Sequence, residues 1–158
     1  MIRHAQSDLS TELSDYLRPL NSKGLRDSRK IGEELQKLFG TPDIIISSGA
    51  KRAFHTAELF SDQFKYNRLN IIKKDSLYNA TSEELIKIIH QIDPQHKSAF
   101  IFSHNPGITK TTNILLNKPI EFKTACVAGI KANTKNWKDF LPGKCQIFLY
   151  LSPKDYDN

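Results

Sequence analysis

Asp43-Ile44-Ile45-Ile46-Ser47-Ser48 and, further on, Ser98-Ala99-Phe100-Ile101-Phe102-Ser103 are the two stretches that decide the fold. Each is a short, unbroken apolar run that stops in small polar residues. Runs of this kind suit strands covered on both faces, as in a parallel sheet. Ile71-Ile72 reads as a short third strand, and Val127 to Lys131 and Cys145 to Leu151 as late strands. Helical patterns lie between them. Asn21 or Ser22 caps a helix to about Phe39, with Leu25, Ile31, Leu35 and Leu38 on its apolar face and Gly40 and Pro42 ending it. A second helix runs from about Ala50 to Phe64. A third spans Ser82 to about Gln91, with Thr81 or Ser82 at its start and glutamates in its first turn. A fourth starts near Pro106 and reaches about Leu116. The alternation predicts one three-layer α/β/α domain over residues 1–158 with a mostly parallel sheet.

The beginning is unusual. Only Met1 and Ile2 precede Arg3, whereas a strand has about five residues. Two readings follow: a first strand truncated in this chain, or a sheet that begins with a stub.

Composition narrows the function. The chain has 23 Lys plus Arg against 17 Asp plus Glu, a net charge of +6, which favours anionic partners. The charge is mixed, unlike that of a disordered tail. No apolar run reaches the roughly 18 residues of a membrane helix, and MIRHAQSD lacks the apolar core of a signal peptide. No membrane partner is expected. The two cysteines, Cys126 and Cys145, are too few for a disulfide framework and sit in apolar segments, which fits a reducing, cytoplasmic setting. The lysines are scattered without interleaved aromatics, so no nucleic-acid partner is expected.

Chemistry-bearing residues gather at the ends of the strands, where open parallel sheets bind ligands. Arg3-His4 ends the first strand. Ser47-Ser48-Gly49-Ala50-Lys51-Arg52 follows the second. Ser103-His104-Asn105-Pro106-Gly107 follows the third of these strand ends. Arg18, in Leu17-Arg18-Pro19-Leu20, is a further candidate. Guanidinium forks bind the oxygens of a phosphoryl group. Their charge also keeps a nearby imidazole neutral and nucleophilic. One histidine can then attack phosphorus while the other donates to its oxygens. The start of the fourth helix would add amides that favour anions. His55, His90 and His96 lie in helices or a polar loop and read as structural. His4 and His104 lack a third ligand at recognisable spacing, which speaks against zinc.

These blocks resemble the histidine phosphatase superfamily, and within it the compact SixA-type phosphohistidine phosphatases. Arg3-His4-Ala5 through Ser7 is similar to the family's opening Arg-His block. Arg18-Pro19-Leu20 through Gly24, Ser47 to Ala57, Leu77-Tyr78 and His104 to Gly107 match further blocks in order. The residues beyond 107 carry no motif. The resemblance implies a phosphoglycerate mutase-like fold and a hydrolase needing no metal or organic cofactor. It implies that His4 becomes phosphohistidine and that Arg3, Arg52 and His104 complete the phosphate pocket. Arg18 would be an added pocket arginine, and Ser7 would touch phosphate.

Two features shape the expected substrate. Larger members carry an inserted lid, and the stretch from Ile72 to the end of the third helix has no room for one. An open pocket suits a phosphorylated side chain on a protein. No acid for the leaving group is evident, with Asp8, Glu83 and Glu84 as candidates. A phosphohistidine leaving group carries its own protonatable imidazole and needs an enzymic acid least. The expected partner is therefore a phosphohistidine protein. The alternatives are a small phosphate ester in the same pocket, or a phosphoprotein-binding module without catalysis.

Overall fold

The computed structural model describes residues 1–156. They form six strands, β1 (Ile2–Arg3), β2 (Ile44–Ser47), β3 (Ile72–Lys73), β4 (Ala99–Ser103), β5 (Val127–Ala132) and β6 (Cys145–Leu151). Four α-helices accompany them, α1 (Ser22–Leu38), α2 (Lys51–Gln63), α3 (Ser82–His90) and α4 (Gly107–Leu116). The sheet order is β3-β2-β4-β1-β5-β6. β3, β2, β4 and β1 pair in parallel, while β5 runs antiparallel to both β1 and β6. One strand thus opposes the other five, and the expected mostly parallel three-layer sheet is present.

The apolar runs divide by the two-residue period of a strand. Ile45, Phe100 and Phe102 pack with Ile31 and Leu35 of α1 and Phe60 of α2. Ile44, Ile46 and Ile101 turn to the other face, against Leu85, Ile88 and Ile89 of α3 and Leu115 of α4. That double burial is why β2 and β4 carry no polar residue until their ends.

Helix ends follow local chemistry. Asn21 caps α1 by accepting from Gly24 N at 2.8 Å. A Cβ on Gly24 would stand 2.1 Å from Gln6 O, so only glycine lets α1 start against that backbone. Thr81 and Glu84 form a reciprocal capping box on α3. One expectation needs correction: Leu38 is 62% exposed, and the neighbouring Phe39 turns inward instead, its ring 5.8 Å from that of Phe100. Pro106 caps α4, in keeping with a helix expected to start near it.

β1 pairs with β4 only at Ile2↔Phe102 and Arg3↔Ser103, and with β5 at Ile2↔Val127. Beyond those pairs, towards the start of β4, β4 and β5 are separated by an apolar cavity of about 290 Å³ lined by Ala99, Ile101, Ile130 and Ala132, among others.

Candidate active site

The parallel register delivers one polar group after another to the carboxyl ends of the strands. Arg3 pairs with Ser103, and His4 N donates to Ser103 O at 3.1 Å, so His4 and His104 leave adjacent strands side by side. Their ring centroids are 4.9 Å apart. Ser48 N donates to Phe102 O at 3.0 Å, which brings the end of β2 and the start of α2 to the same place. Arg52, in the first turn of α2, then projects at His4, its Nε donating to His4 Nε2 at 3.2 Å. His4, Arg52 and His104 are all buried.

The hydrogen bonds assign the state of His4. A carbonyl can only accept, so the 2.8 Å contact of His4 Nδ1 with Ala5 O places the ring proton on Nδ1. In the neutral ring Nε2 is then the bare nitrogen, and it faces Arg52. Ala5 is anchored in turn by its N–H donating to Thr56 Oγ1 at 3.0 Å. Burial, with the nearby Arg52 and Arg3 charges, holds the His4 pKa down at about 4. Burial and the neighbouring His4 and Arg52 push His104 down to about 3. Both rings are neutral at pH 7, the state a nitrogen nucleophile needs.

His104 Nε2 lies 2.8 Å from Ser48 Oγ. Its other nitrogen, Nδ1, is buried without a partner among the described residues, as is Arg3 Nε. Buried polar atoms are seldom left unpaired, so two of the expected pocket residues have capacity for a ligand. Arg3 is fixed by donating from Nη1 to Phe122 O at 2.8 Å.

Asp15 is the residue that sequence reasoning missed. It begins the 3-10 turn Asp15–Leu17. Its Oδ2 accepts from Arg52 Nη2 at 2.9 Å and from Tyr78 OH at 2.6 Å, and its backbone carbonyl accepts from Arg52 Nη1. Its Oδ1 pairs with Arg18, which joins the cluster through this carboxylate. The hydrogen bond from Tyr78, together with Arg52 and Arg18, holds the Asp15 carboxyl below the usual carboxylate range. A second tie runs beside the first, Tyr16 OH donating to Asp75 Oδ1. The Tyr16 and Tyr78 rings meet edge to face at 5.1 Å. A segment ahead of α1 thus covers Arg52, although the expected absence of an insertion between β3 and α3 holds. The available signal was position: Asp15 lies three residues before Arg18, within one short turn of it.

The other candidates lie elsewhere. Ser7 bridges to Leu20, and its hydroxyl makes no hydrogen bond to the pocket side chains among the described residues. The Asp8 carboxylate accepts from Ser10 N and Oγ at 2.9 and 2.6 Å. Glu84 is committed to the α3 cap and accepts from Thr81 N at 2.8 Å, while Glu83 is exposed. A carboxylate already serving a turn or a cap is poorly placed as a proton donor. Of the histidines read as structural, His90 contacts Phe140 O and His96 accepts from Trp137 through its carbonyl.

Comparison with known proteins follows this geometry. The chain resembles the protein histidine phosphatase SixA complexed with tungstate, with a TM-score of 0.84 at 19% identity over 99% of this chain and 97% of that one. A mycobacterial glucosyl-3-phosphoglycerate phosphatase matches with a TM-score of 0.68 at 15% identity over 94% and 96% of the two chains. These likenesses establish a shared α/β fold. An uncharacterized chloroplastic protein of Arabidopsis thaliana is 29% identical over 150 residues, 88% of this chain and 68% of its own. The model of the histidine phosphatase superfamily (branch 1) matches residues 1–81, from the β1 end to the cap of α3. With that match over half its length, the chain belongs to the histidine phosphatase superfamily.

Proposed function

We propose that this protein removes phosphate from phosphohistidine on a protein, through a covalent intermediate on His4. Residues Arg3, Arg18, Arg52 and His104 form the phosphate pocket in this reading. The Nε2 lone pair of His4 attacks phosphorus, and the bond from phosphorus to the substrate imidazole nitrogen breaks. Arg3 and Arg52 hold the oxygens by charge-assisted hydrogen bonds. His104 donates from Nδ1 to the group in transfer, with Ser48 holding Nε2. Water then attacks phospho-His4, releasing inorganic phosphate and restoring the bare nitrogen. The water's proton passes to the phosphate formed.

The observation that carries the choice of substrate is the state of Asp15. The carboxylate bound to the pocket guanidiniums is held ionised by Tyr78 and Arg52, so it has no proton to give at neutral pH. An alkyl ester would leave as an alkoxide and needs one. A phosphohistidine substrate takes a proton from solvent on its other ring nitrogen and leaves as a neutral imidazole, with no enzymic acid required. A protein substrate also suits a site whose cover is a single short turn.

The test is rapid quench with phosphorus-labelled phosphohistidine protein, alkaline denaturation and peptide mapping. Acid-labile, base-stable label on the His4 peptide is expected. Label on His104, or full activity in His4→Ala, would overturn the assignment. Faster turnover of sugar phosphates than of phosphohistidine protein would favour the ester reading. Binding without turnover of either substrate would favour a phosphoprotein-binding module.

A further inference from the structure

Asp15 places an anion on the two arginines that a phosphoryl group would need. One carboxylate oxygen pairs with Arg18, and the other takes Arg52 Nη2 at 2.9 Å and Tyr78 OH at 2.6 Å. The Arg52 side chain is 6% exposed while that of Asp15 is 45% exposed. The cation is therefore fixed in the wall, and the anion is the member free to swing outward. Its turn is short and lies at the surface, with no buried residue of its own.

We infer that Asp15 is an internal competitor for the phosphate seat, displaced when a phosphoryl group enters and returning as inorganic phosphate leaves. The inference rests on the phosphate-pocket reading above. A bound phosphoryl group offers more charge and three acceptor oxygens against the single charge of a carboxylate, so displacement goes forward. The ion pairs that Asp15 gives up are subtracted from the binding of any anion. A protein substrate makes further contacts outside the pocket that offset this loss. Free phosphate has none. The device therefore weakens product binding most visibly and favours release.

The probe is inorganic phosphate, titrated calorimetrically at neutral pH into the wild-type protein and into Asp15→Asn. Asparagine keeps the shape and can still accept from Tyr78 and Arg52, but it lacks the charge. Partly exposed ion pairs are individually weak, and loss of two corresponds to phosphate binding roughly two- to thirtyfold tighter in Asp15→Asn. Inhibition of turnover by added phosphate should strengthen in parallel. Tyr78→Phe, which frees the carboxylate from one tie without removing its charge, should shift the constant in the same direction and by less. Weaker phosphate binding in Asp15→Asn would mean that Asp15 positions Arg52 and would overturn the inference. Equal binding in the two proteins would overturn it as well, leaving the pocket reading intact. No binding to either protein would overturn the pocket reading itself.

Discussion

The two ends of the one sheet differ in almost every physical respect. At the carboxyl ends, β1, β2 and β4 finish together, and His4, Ser48, Arg52 and His104 are buried in mutual contact. Towards the opposite end, β1 leaves β4 and β5 unpaired with each other, and an apolar cavity of about 290 Å³ opens in the sheet layer. The cavity is lined mainly by apolar side chains, and its charged lining residues Lys97, Lys131 and Lys135 are exposed to solvent. The crevice is polar, with buried atoms whose hydrogen-bonding capacity is unused. Chemistry follows the unspent polar capacity, and room alone does not mark the site.

The sharpest way to break this comparison is to substitute the histidines. His4→Ala removes the nitrogen proposed as the nucleophile, and turnover should fall to the uncatalysed background. His104→Ala keeps the nucleophile and removes one donor, a loss of about 10²–10³ in kcat. Steady-state rates on a phosphohistidine protein distinguish the two. Equal losses in both would mean that the pair acts as one unit and that the roles assigned to each ring are wrong.

The pH dependence is the next largest effect. In the free protein His4 stands at about 4, so its lone pair persists well below the ordinary histidine value of 6.5. The acid limb of kcat/KM, which reports the free enzyme, should fall near pH 4 to 5, and a limb near 6.5 would contradict the buried, arginine-flanked geometry. Stability has its own sign. Between about 6.5 and the lowered folded values of His4 and His104, the unfolded chain binds more protons than the folded one. Stability therefore declines as pH falls through that window. Denaturant melts at pH 7 and pH 5 should show the loss, and His104→Gln should reduce it.

How much of this was legible beforehand differs between the two ends as well. The strand cores were plain, because Ile44-Ile45-Ile46 and Phe100-Ile101-Phe102 are apolar in both parities and only double burial explains that. The histidines and arginines were legible because each follows directly on a strand end. Asp15 was not, because its meaning lies in Arg52 and Tyr78, 37 and 63 residues away. Leu38 was misread because period alone cannot say where a helix stops packing, and Phe39 takes its place. The cavity has no sequence signal at all. It arises from register, from where β1 meets β4 and β5.

Packing tightness gives two smaller tests, one at each end. Gly107, in the first turn of α4 beyond His104, would place a Cβ 2.0 Å from the backbone oxygen of Ala80. Helix propensity alone would make Gly107→Ala stabilising by about 1 kcal/mol. Here the obstacle is backbone, which moves with difficulty, so overpacking should reverse the sign. A net loss of about 1–3 kcal/mol is expected in denaturant melts. A gain in stability would show that the backbone at Ala80 and the first turn of α4 are not in close contact beside the crevice.

The smallest effect belongs to the far end. Ala99, at the start of β4, lines the cavity and is only partly buried. Ala99→Val adds two methyl groups towards empty space and replaces alanine with a residue better suited to a strand. Filling space that the native side chains leave open stabilises through added apolar burial, at about 0.8 kcal/mol per carbon when fully buried. Partial exposure lowers that, and a gain of up to about 1 kcal/mol is expected, read as a higher urea midpoint with an unchanged slope. The residue touches none of the pocket groups, so kcat and KM should stay as they are. A change in kcat with the gain in stability would mean that packing at one end of the sheet sets the geometry of His4 and His104 at the other. The two ends would then have to be treated as a single mechanical unit, with Ile2 and Phe102, paired between them, as the path along which that coupling runs.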